Sequence, residues 1–261
     1  DRPRRPARRN GAKSDELDAV RAAREVLGRT HLAQPRRRGD REALRVLLCT
    51  REAAVRGRTR SIAALHALVV SAPEGLRRRL RHLGARELTA RCARLRGGTT
   101  RSSEQRATIM ALRSTARRAL ACEAEAAELE SALGALVERL RPDLLAEPGV
   151  GPISAARLLN AWSHAGRIRS EAAFAMLAGV APVEASSGQT VRHRLNRSGD
   201  RQLNRALHTI VLVRLAHDAE TRAYARRRTE EGKTPREIKR CLKRHVARRI
   251  FRLLEDPAQA T

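Results

Sequence analysis

The chain has 261 residues, with 55 lysines and arginines against 28 aspartates and glutamates, which leaves a formal charge of +27. This length excludes a simple disordered tail and allows one large or two modest domains, and the charge predicts a DNA or RNA partner over an anionic membrane or an acidic protein. Aromatic residues make up 2% of the sequence, which argues against a base-stacking surface and predicts contacts mainly to phosphates.

The first predicted elements are a basic arm and two helices. Residues 1–12 contain five arginines and no apolar periodicity, which indicates an extended arm. Acidic residues followed by apolar residues at helical spacing predict a helix over 15–27. A second helical pattern runs from Asp40 to about Val70, with Gly57 as a place where it can break, and two short helical stretches follow.

The longest periodic segment runs from about Ser103 to Ala146. Its apolar residues recur every three or four positions, the period of a coiled coil. They are Ile109, Leu112, Ala116, Ala119, Cys122, Ala126, Leu129, Leu133, Leu136, Leu140 and Leu144. The pattern predicts a helical hairpin or a self-association arm, and the alternative is a helix packed within one monomeric domain. Pro148 opens a last region that extends to about Leu254, interpreted as a second domain.

Residues 144–159 have the pattern of a helix-hairpin-helix element. Gly149 and Gly151 allow a tight turn whose amides point outward at the start of the next helix. Together with the helix dipole, these amides can hold a DNA phosphate without reading base sequence. The alternative is a plain turn between packed helices, which needs glycine for the same steric reason.

Asp15 and Asp18 lie three residues apart at the start of a predicted helix, so both carboxylates project from one face. Such a pair can share a divalent ion, as magnesium-dependent phosphoryl transfer requires. The alternative is that they stabilise the helix dipole. The eight histidines show no metal-ligand spacing and are assigned no site.

A serine-glycine loop is the second candidate for chemistry. It follows a short helix capped by Ser170 and contains Ser186, Ser187 and Gly188. A serine next to glycine is flexible enough to approach phosphorus, and nearby arginines can stabilise the developing charge. These arginines are Arg192, Arg194, Arg197 and Arg201, and Arg205 is a further predicted nucleic-acid-binding residue. The alternative is an ordinary loop.

Tyr224 supports a rival hypothesis, a tyrosine-type site-specific recombinase. His208, His217 and Arg222 lie nearby in the sequence and are the residue types that assist a tyrosine nucleophile. The alternative is a tyrosine packed on a helix.

Several blocks together resemble one family, the DEDD insertion-sequence transposases of the insertion sequence one-ten type. The first, residues 13–19, resembles the end of the family's RuvC-like nuclease domain. The others resemble its transposase-specific domain and comprise residues 148–152, 179–182 with 187–188, 197–207, 221–224, 232–233 and 240–244.

The resemblance implies a role for each candidate. Asp15 and Asp18 correspond to the last two of four metal-binding acids, with Mg²⁺ as the cofactor. Ser187 corresponds to the nucleophile that forms a covalent phosphoserine, with Ser186 as the fallback. It also implies double-stranded DNA as substrate, a structured guide RNA, and a homodimer or homotetramer.

The family's first two acids come from strands upstream of the first block, and 12 residues precede that block here. The sequence is therefore expected to be a fragment, a truncated gene or a degraded copy. This favours a second hypothesis, a non-catalytic nucleic-acid-binding relic of such a transposase.

The predicted fold is mainly α, with a remnant of an α/β RuvC-like nuclease domain, a long coiled-coil-like helical arm and a helical C-terminal domain. The boundaries are 1–95 for the nuclease part and following helices, 96–147 for the arm, 148–255 for the C-terminal domain and 256–261 for the tail. No segment approaches the ~20 apolar residues of a membrane span, and four scattered cysteines indicate reduced thiols. A soluble protein of the bacterial cytoplasm, associated with the nucleoid, is expected.

Overall fold

The structure is a computed structural model that describes residues 15–28, 34–96, 102–184, 193–194, 196 and 198–256. These ranges are mainly α-helical, as predicted, with one short two-stranded sheet. In chain order the elements are α1 (Asp15–Leu27), α2 (Asp40–Val70), α3 (Glu74–Leu80), α4 (Ala85–Ala93), α5 (Ser103–Leu140), α6 (Pro142–Ala146), α7 (Pro152–Trp162), α8 (Glu171–Leu177), β1 (Val183–Glu184), β2 (His193–Arg194), α9 (Arg201–His217), α10 (Ala219–Glu230) and α11 (Pro235–Glu255).

The chain divides into two compact units, Asp1–Arg36 and Arg37–Thr261. In the first unit, α1 has the bounds predicted from its acidic first turn and apolar spacing. None of its residues is buried, and Leu17 and Val20 are 47% and 43% exposed. Within the described ranges, no helix combines the length and the hydropathy needed to cross a bilayer.

In the second unit, α2 and α5 lie side by side in opposite directions. Arg51 pairs with Glu130 at 2.7 Å, and Arg58 pairs with Glu123 at 3.3 Å, so the start of α2 lies beside the end of α5. The buried side chains of α5 include six of the eleven residues of the predicted stripe: Ile109, Leu112, Ala116, Ala119, Ala126 and Leu133. The small alanines allow the two helices to approach closely.

Gly57 lies in the middle of α2, and the helix passes through it without interruption. The break that Gly57 made possible does not occur. A Cβ on Gly57 would lie 3.0 Å from Cys122 Sγ of α5, so the absence of a side chain admits the neighbouring helix. The close contact offsets the cost of about 1 kcal/mol that glycine imposes on a helix relative to alanine.

The predicted segment 103–146 is divided into α5 and α6. Arg141 leaves the helical conformation, with φ −154° and ψ 71°. Pro142 causes this break, because proline disfavours helical geometry in the residue before it and lacks the N–H that would continue the ladder. Pro142 then occupies the first turn of α6, where a missing N–H costs nothing.

α3 and α4 correspond to the two short predicted helical stretches. They pack against the far end of the α2–α5 pair. Leu65 and Val69 of α2 pack there against Leu88, Cys92 and other apolar side chains in one buried cluster. Burial raises the pKa of the Cys92 thiol to about 11, so the thiol is protonated at neutral pH.

A larger core joins the near end of the α2–α5 pair to the C-terminal helices. Leu44 of α2 and Leu133 of α5 share it with Phe174 of α8, Leu207 of α9 and Ile250 of α11. The domain boundaries predicted between these segments stay a prediction.

Capping residues place the C-terminal helices. Ser170 caps α8, as predicted, by accepting a hydrogen bond from Ala173 N at 3.2 Å. Asp200 caps α9 in the same way, and Thr234 forms a capping box with Glu237 at the start of α11.

Candidate functional site

The predicted serine loop lies between the two short strands. β1 and β2 pair antiparallel, with Val183 opposite Arg194 and Glu184 opposite His193. We call residues 183–194 the serine hairpin. Its inner segment, residues 185–192, lies outside the described residues and contains Ser186, Ser187, Gly188 and Arg192. What the structure describes is the base that holds this segment.

Two glycines bring together the chain segments that precede and follow the serine hairpin. Gly179 has φ +64° and Gly199 has φ +102°, conformations that favour glycine. A Cβ on Gly199 would lie 2.6 Å from Leu177 O and 2.8 Å from Gly179 N. Asp200 N also donates to Leu177 O at 2.6 Å. The end of α8 and the start of α9 are therefore in direct backbone contact below the hairpin.

Asn204 of α9 links the end of α8 to α11 through hydrogen bonds. Its side-chain amide donates to Ala178 O at 2.7 Å, and its carbonyl accepts from Lys243 Nζ at 3.2 Å. Burial lowers the pKa of Lys243, and the nearby Arg240 lowers it further. Burial, Lys243 and Lys239 likewise lower the pKa of His208. The base of the hairpin is thus a partly dehydrated, positively charged cluster.

Replacing Asn204 by alanine is expected to lower the free energy of unfolding by about 2 kcal/mol, because it leaves Ala178 O and the Lys243 ammonium without this partner. Urea denaturation followed by circular dichroism measures the change. Arg201→Ala, at the exposed start of the same helix, is the control and should stay within about 0.5 kcal/mol of the parent. Equal losses in the two variants would contradict the assigned role of Asn204.

Of the predicted arginines, Arg194, Arg201 and Arg205 lie among the described residues. The backbone of Arg194 lies in β2, and Arg201 is the exposed first residue of α9. Arg192 and Arg197 lie outside the described residues. The structure thus places two of these four positions at the base of the hairpin.

Arg205 is tied to α2. Its guanidinium lies 3.4 Å from Glu52, which Gln202 also contacts at 2.6 Å. Burial lowers the pKa of Arg157 on α7, and the charge of Arg205 contributes to this. Arg205 remains 59% exposed at its side chain, so it can still meet a phosphate.

The predicted helix-hairpin-helix glycines occupy the turn between α6 and α7, and their surroundings differ. Gly149 has φ +76°, and a Cβ there would lie 3.0 Å from Ile210 O of α9. Packing against α9 therefore explains the glycine at position 149 without any role in binding DNA. Gly151 is exposed, has no atom within 4 Å of an added Cβ, and precedes α7, whose N-terminus carries no side-chain cap.

Ion pairs hold this turn in place. The side chain of Glu147 is 9% exposed, and its carboxylate forms ion pairs with the guanidinium groups of Arg214 at 3.2 Å and Arg249 at 2.7 Å. Arg214 Nε also donates to Pro148 O at 2.7 Å. The turn is therefore attached to both α9 and α11.

Asp15 and Asp18 are exposed on α1, and Asp18 pairs with Arg21 at 3.4 Å. Across the described residues, no group of three or more acidic, histidine or cysteine side chains is arranged to hold a metal ion. The chemistry of the pair fits Mg²⁺, because that ion is bound by one or two carboxylates with water and phosphate oxygens as further ligands.

Tyr224 is packed between α10 and α11. Its ring meets His245 edge-on at 5.6 Å, and Arg227 lies over it at the same distance. Burial and Cys241 raise the pKa of Tyr224, which opposes the phenolate form. Among the described residues, neither His208 nor His217 makes a ring or hydrogen-bond contact with it.

Comparisons with known proteins bear on the same region. The sequence model of the Transposase IS116/IS110/IS902 family matches residues 143–226, from α6 through the serine hairpin to α10. The chain is also similar to the uncharacterized 43.6 kDa protein of insertion element IS110 from Streptomyces coelicolor, with 34% identity over 131 residues. The two comparisons thus agree that the chain is similar to proteins of IS110-type insertion elements.

The match with the IS110 protein covers 49% of this chain and 32% of that relative. The chain thus spans about a third of the length of this curated relative. The sequence patterns did not identify Asn204 or Lys243 as site residues. Two signals were present: an asparagine inside a helix, where its propensity is poor, and a lysine in a chain that has four lysines among 55 basic residues.

Proposed function

We propose that this chain is part of a bacterial insertion-sequence transposase that cleaves and rejoins DNA through Ser187, with Ser186 as the fallback nucleophile. The observation that carries the proposal is the closed base of the serine hairpin. It lies inside the family match, between Gly179 and Gly199. In the sequence between these glycines are Ser186, Ser187, Gly188 and the arginines at 192, 194 and 197. The charge of +27 supports a nucleic-acid substrate.

In the proposed reaction, Ser187 Oγ attacks a DNA phosphorus atom. The Oγ–P bond forms as the bond from phosphorus to a deoxyribose oxygen breaks, and the serine proton is balanced by the proton that the leaving oxygen gains. Rejoining reverses these steps with a new deoxyribose hydroxyl. Arg192, Arg194, Arg197 and Arg201 stabilise the negative charge on the phosphate oxygens.

The turn between α6 and α7 is proposed to hold a second phosphate. Gly151 leaves the N-terminus of α7 open, and the helix dipole favours an anion there. Gly149 acts indirectly, because its contact with α9 fixes the turn.

Asp15 and Asp18 are proposed to hold Mg²⁺, which when bound supplies Lewis-acid stabilisation of phosphate charge. Three further parts of the proposal rest on the family resemblance alone. They are the RuvC-like origin of α1, a structured guide RNA and a homo-oligomeric assembly. One observation favours the non-catalytic alternative: the carboxylate of Asp18 is already paired with Arg21.

Covalent trapping tests the nucleophile. The full chain is incubated with Mg²⁺ and a nicked duplex carrying the element's ends, so that the cleaved strand cannot be rejoined, and the protein-DNA adduct is read on a denaturing gel. We expect Ser187→Ala to abolish the adduct, with Ser186→Ala and Tyr224→Phe as controls that keep it. An adduct that survives Ser187→Ala but not Ser186→Ala assigns the fallback residue.

The remaining outcomes separate the hypotheses. An adduct that survives both serine substitutions and is lost in Tyr224→Phe would replace the proposal with a tyrosine recombinase. A parent chain that binds DNA and forms no adduct would support the non-catalytic relic.

A further inference from the structure

A groove lies between α3 and α4, at the end of the α2–α5 pair that is far from the shared core. Its volume is about 590 Å³. Arg79 of α3 lines one wall, and Arg91 and Arg94 line the other, together with one acidic residue, Glu87. Leu76 and Leu95 contribute the apolar part of its surface. Arginines from two helices thus converge on one concave surface.

The three arginines outnumber the one acidic residue of the groove, and they form no direct ion pair among the described residues. Within the described part of the chain, the side chains of Arg79, Arg91 and Arg94 make no hydrogen bond or ion pair, whereas the neighbouring Arg77 and Arg78 both pair with Glu74. Residues 71–96 contain eight arginines and two glutamates. An ordinary solvated helix face mixes both signs, so this surface calls for an anionic ligand.

We propose that this groove binds backbone phosphates of a nucleic acid, at a site separate from the serine hairpin. The planar guanidinium donates two parallel hydrogen bonds to phosphate oxygens, and several such groups on one concave surface fit a chain of phosphates. Among the described residues that line the groove there is no aromatic side chain for stacking on bases. It therefore binds the backbone and adds affinity without reading sequence.

The groove lies far from the shared core, at the other end of α2. Leu44 of α2 lies in the shared core and Val69 lies in the cluster beneath the groove. The helix between them is about 38 Å long at 1.5 Å per residue. This corresponds to roughly 11 base pairs of duplex. The groove thus extends the nucleic-acid surface by about one helical turn.

The test compares two double variants that remove the same charge from the same segment. The groove variant, Arg79→Gln with Arg91→Gln, removes one positive charge from each wall of the groove. The control variant, Arg77→Gln with Arg78→Gln, removes the two arginines that are already paired with Glu74. Affinities for duplex DNA and for duplex RNA of the same sequence are measured by fluorescence anisotropy between about 50 and 200 mM salt. The groove variant is expected to bind about tenfold more weakly, with a log-log salt slope shallower by about 2 on DNA.

The control variant should stay within about twofold of the parent. A larger loss on one of the two nucleic acids identifies which of them supplies the phosphates. Equal weakening by the groove and control variants would overturn the proposal, as would unchanged affinity for both nucleic acids. Arg91→Gln alone, at an exposed position of α4, serves if the double variant loses helicity. Because no strand cleavage is measured, the result is independent of Ser187.

Discussion

Gly199→Ala is expected to lower the free energy of unfolding by about 4 kcal/mol and to open the base of the serine hairpin. The residue has φ +102°, which costs an L-amino acid about 1 to 3 kcal/mol. The added Cβ would also lie 2.6 Å from Leu177 O, where only backbone could move aside. Overpacking of this kind adds about 1 to 3 kcal/mol.

Gly232→Ala is the matched control, because Gly232 has φ +80° but no atom within 4 Å of an added Cβ. Its loss should be about 1 kcal/mol, the conformational cost alone. Urea denaturation compares the two variants, and hydrogen exchange of peptides covering residues 178–200 reports the opening. If both substitutions cost the same and exchange is unchanged, the backbone contact at Gly179 does not hold the hairpin.

Local signals in the sequence were sufficient to predict most helices. The acidic first turn and apolar spacing predicted α1 with its observed bounds, and Ser170 predicted the start of α8. These signals depend on neighbours within one turn, so no knowledge of the tertiary structure is needed.

Contacts between distant segments were not predictable in the same way. Gly57 suggested a break because glycine is a poor helix former, and its real role depends on Cys122 of another helix. The link from Asn204 to Lys243 joins residues 39 positions apart in two helices. Which faces of α9 and α11 meet is decided by packing of the whole core, so the sequence pattern alone could not place this pair.

In the candidate site, too, local sequence features were predictable and contacts between distant segments were not. Charge and glycine-rich motifs predicted a phosphate-binding surface and its C-terminal location. They did not distinguish Gly149, which admits α9, from Gly151, which stays exposed. Composition also counted the arginines of residues 74–96 without indicating that Arg79, Arg91 and Arg94 line one groove.

Asp143→Asn is expected to lower the free energy of unfolding by about 3 to 5 kcal/mol. Arg141, 6% exposed, donates to both carboxylate oxygens of Asp143, at 2.8 and 2.7 Å. It also donates to Leu253 O at 2.7 Å, at the end of α11. Asparagine would leave this buried guanidinium without a counter-charge, which is the costly way to break a buried pair. Chemical denaturation at neutral pH measures the loss.

A double replacement separates the lost charge balance from lost packing. Arg141→Met with Asp143→Leu removes both charges and keeps apolar volume, so it should recover most of the stability lost in Asp143→Asn. If the double variant is no more stable than the single one, the bonds from Arg141 to the end of α11 matter more than the charge balance.

The pH dependence gives an independent check. Burial raises the pKa of Asp143, but the hydrogen bond and charge of Arg141 outweigh it, and the net pKa lies below its usual value of 3.8. A lowered pKa in the folded state contributes stability above the unfolded value, and this stability is lost as the pH falls through the folded value. The difference between the parent and Asp143→Asn should therefore be full at neutral pH and shrink below about pH 3.8. A difference that stays constant into acid would mean that the carboxylate charge does not stabilise the junction of α5 and α6.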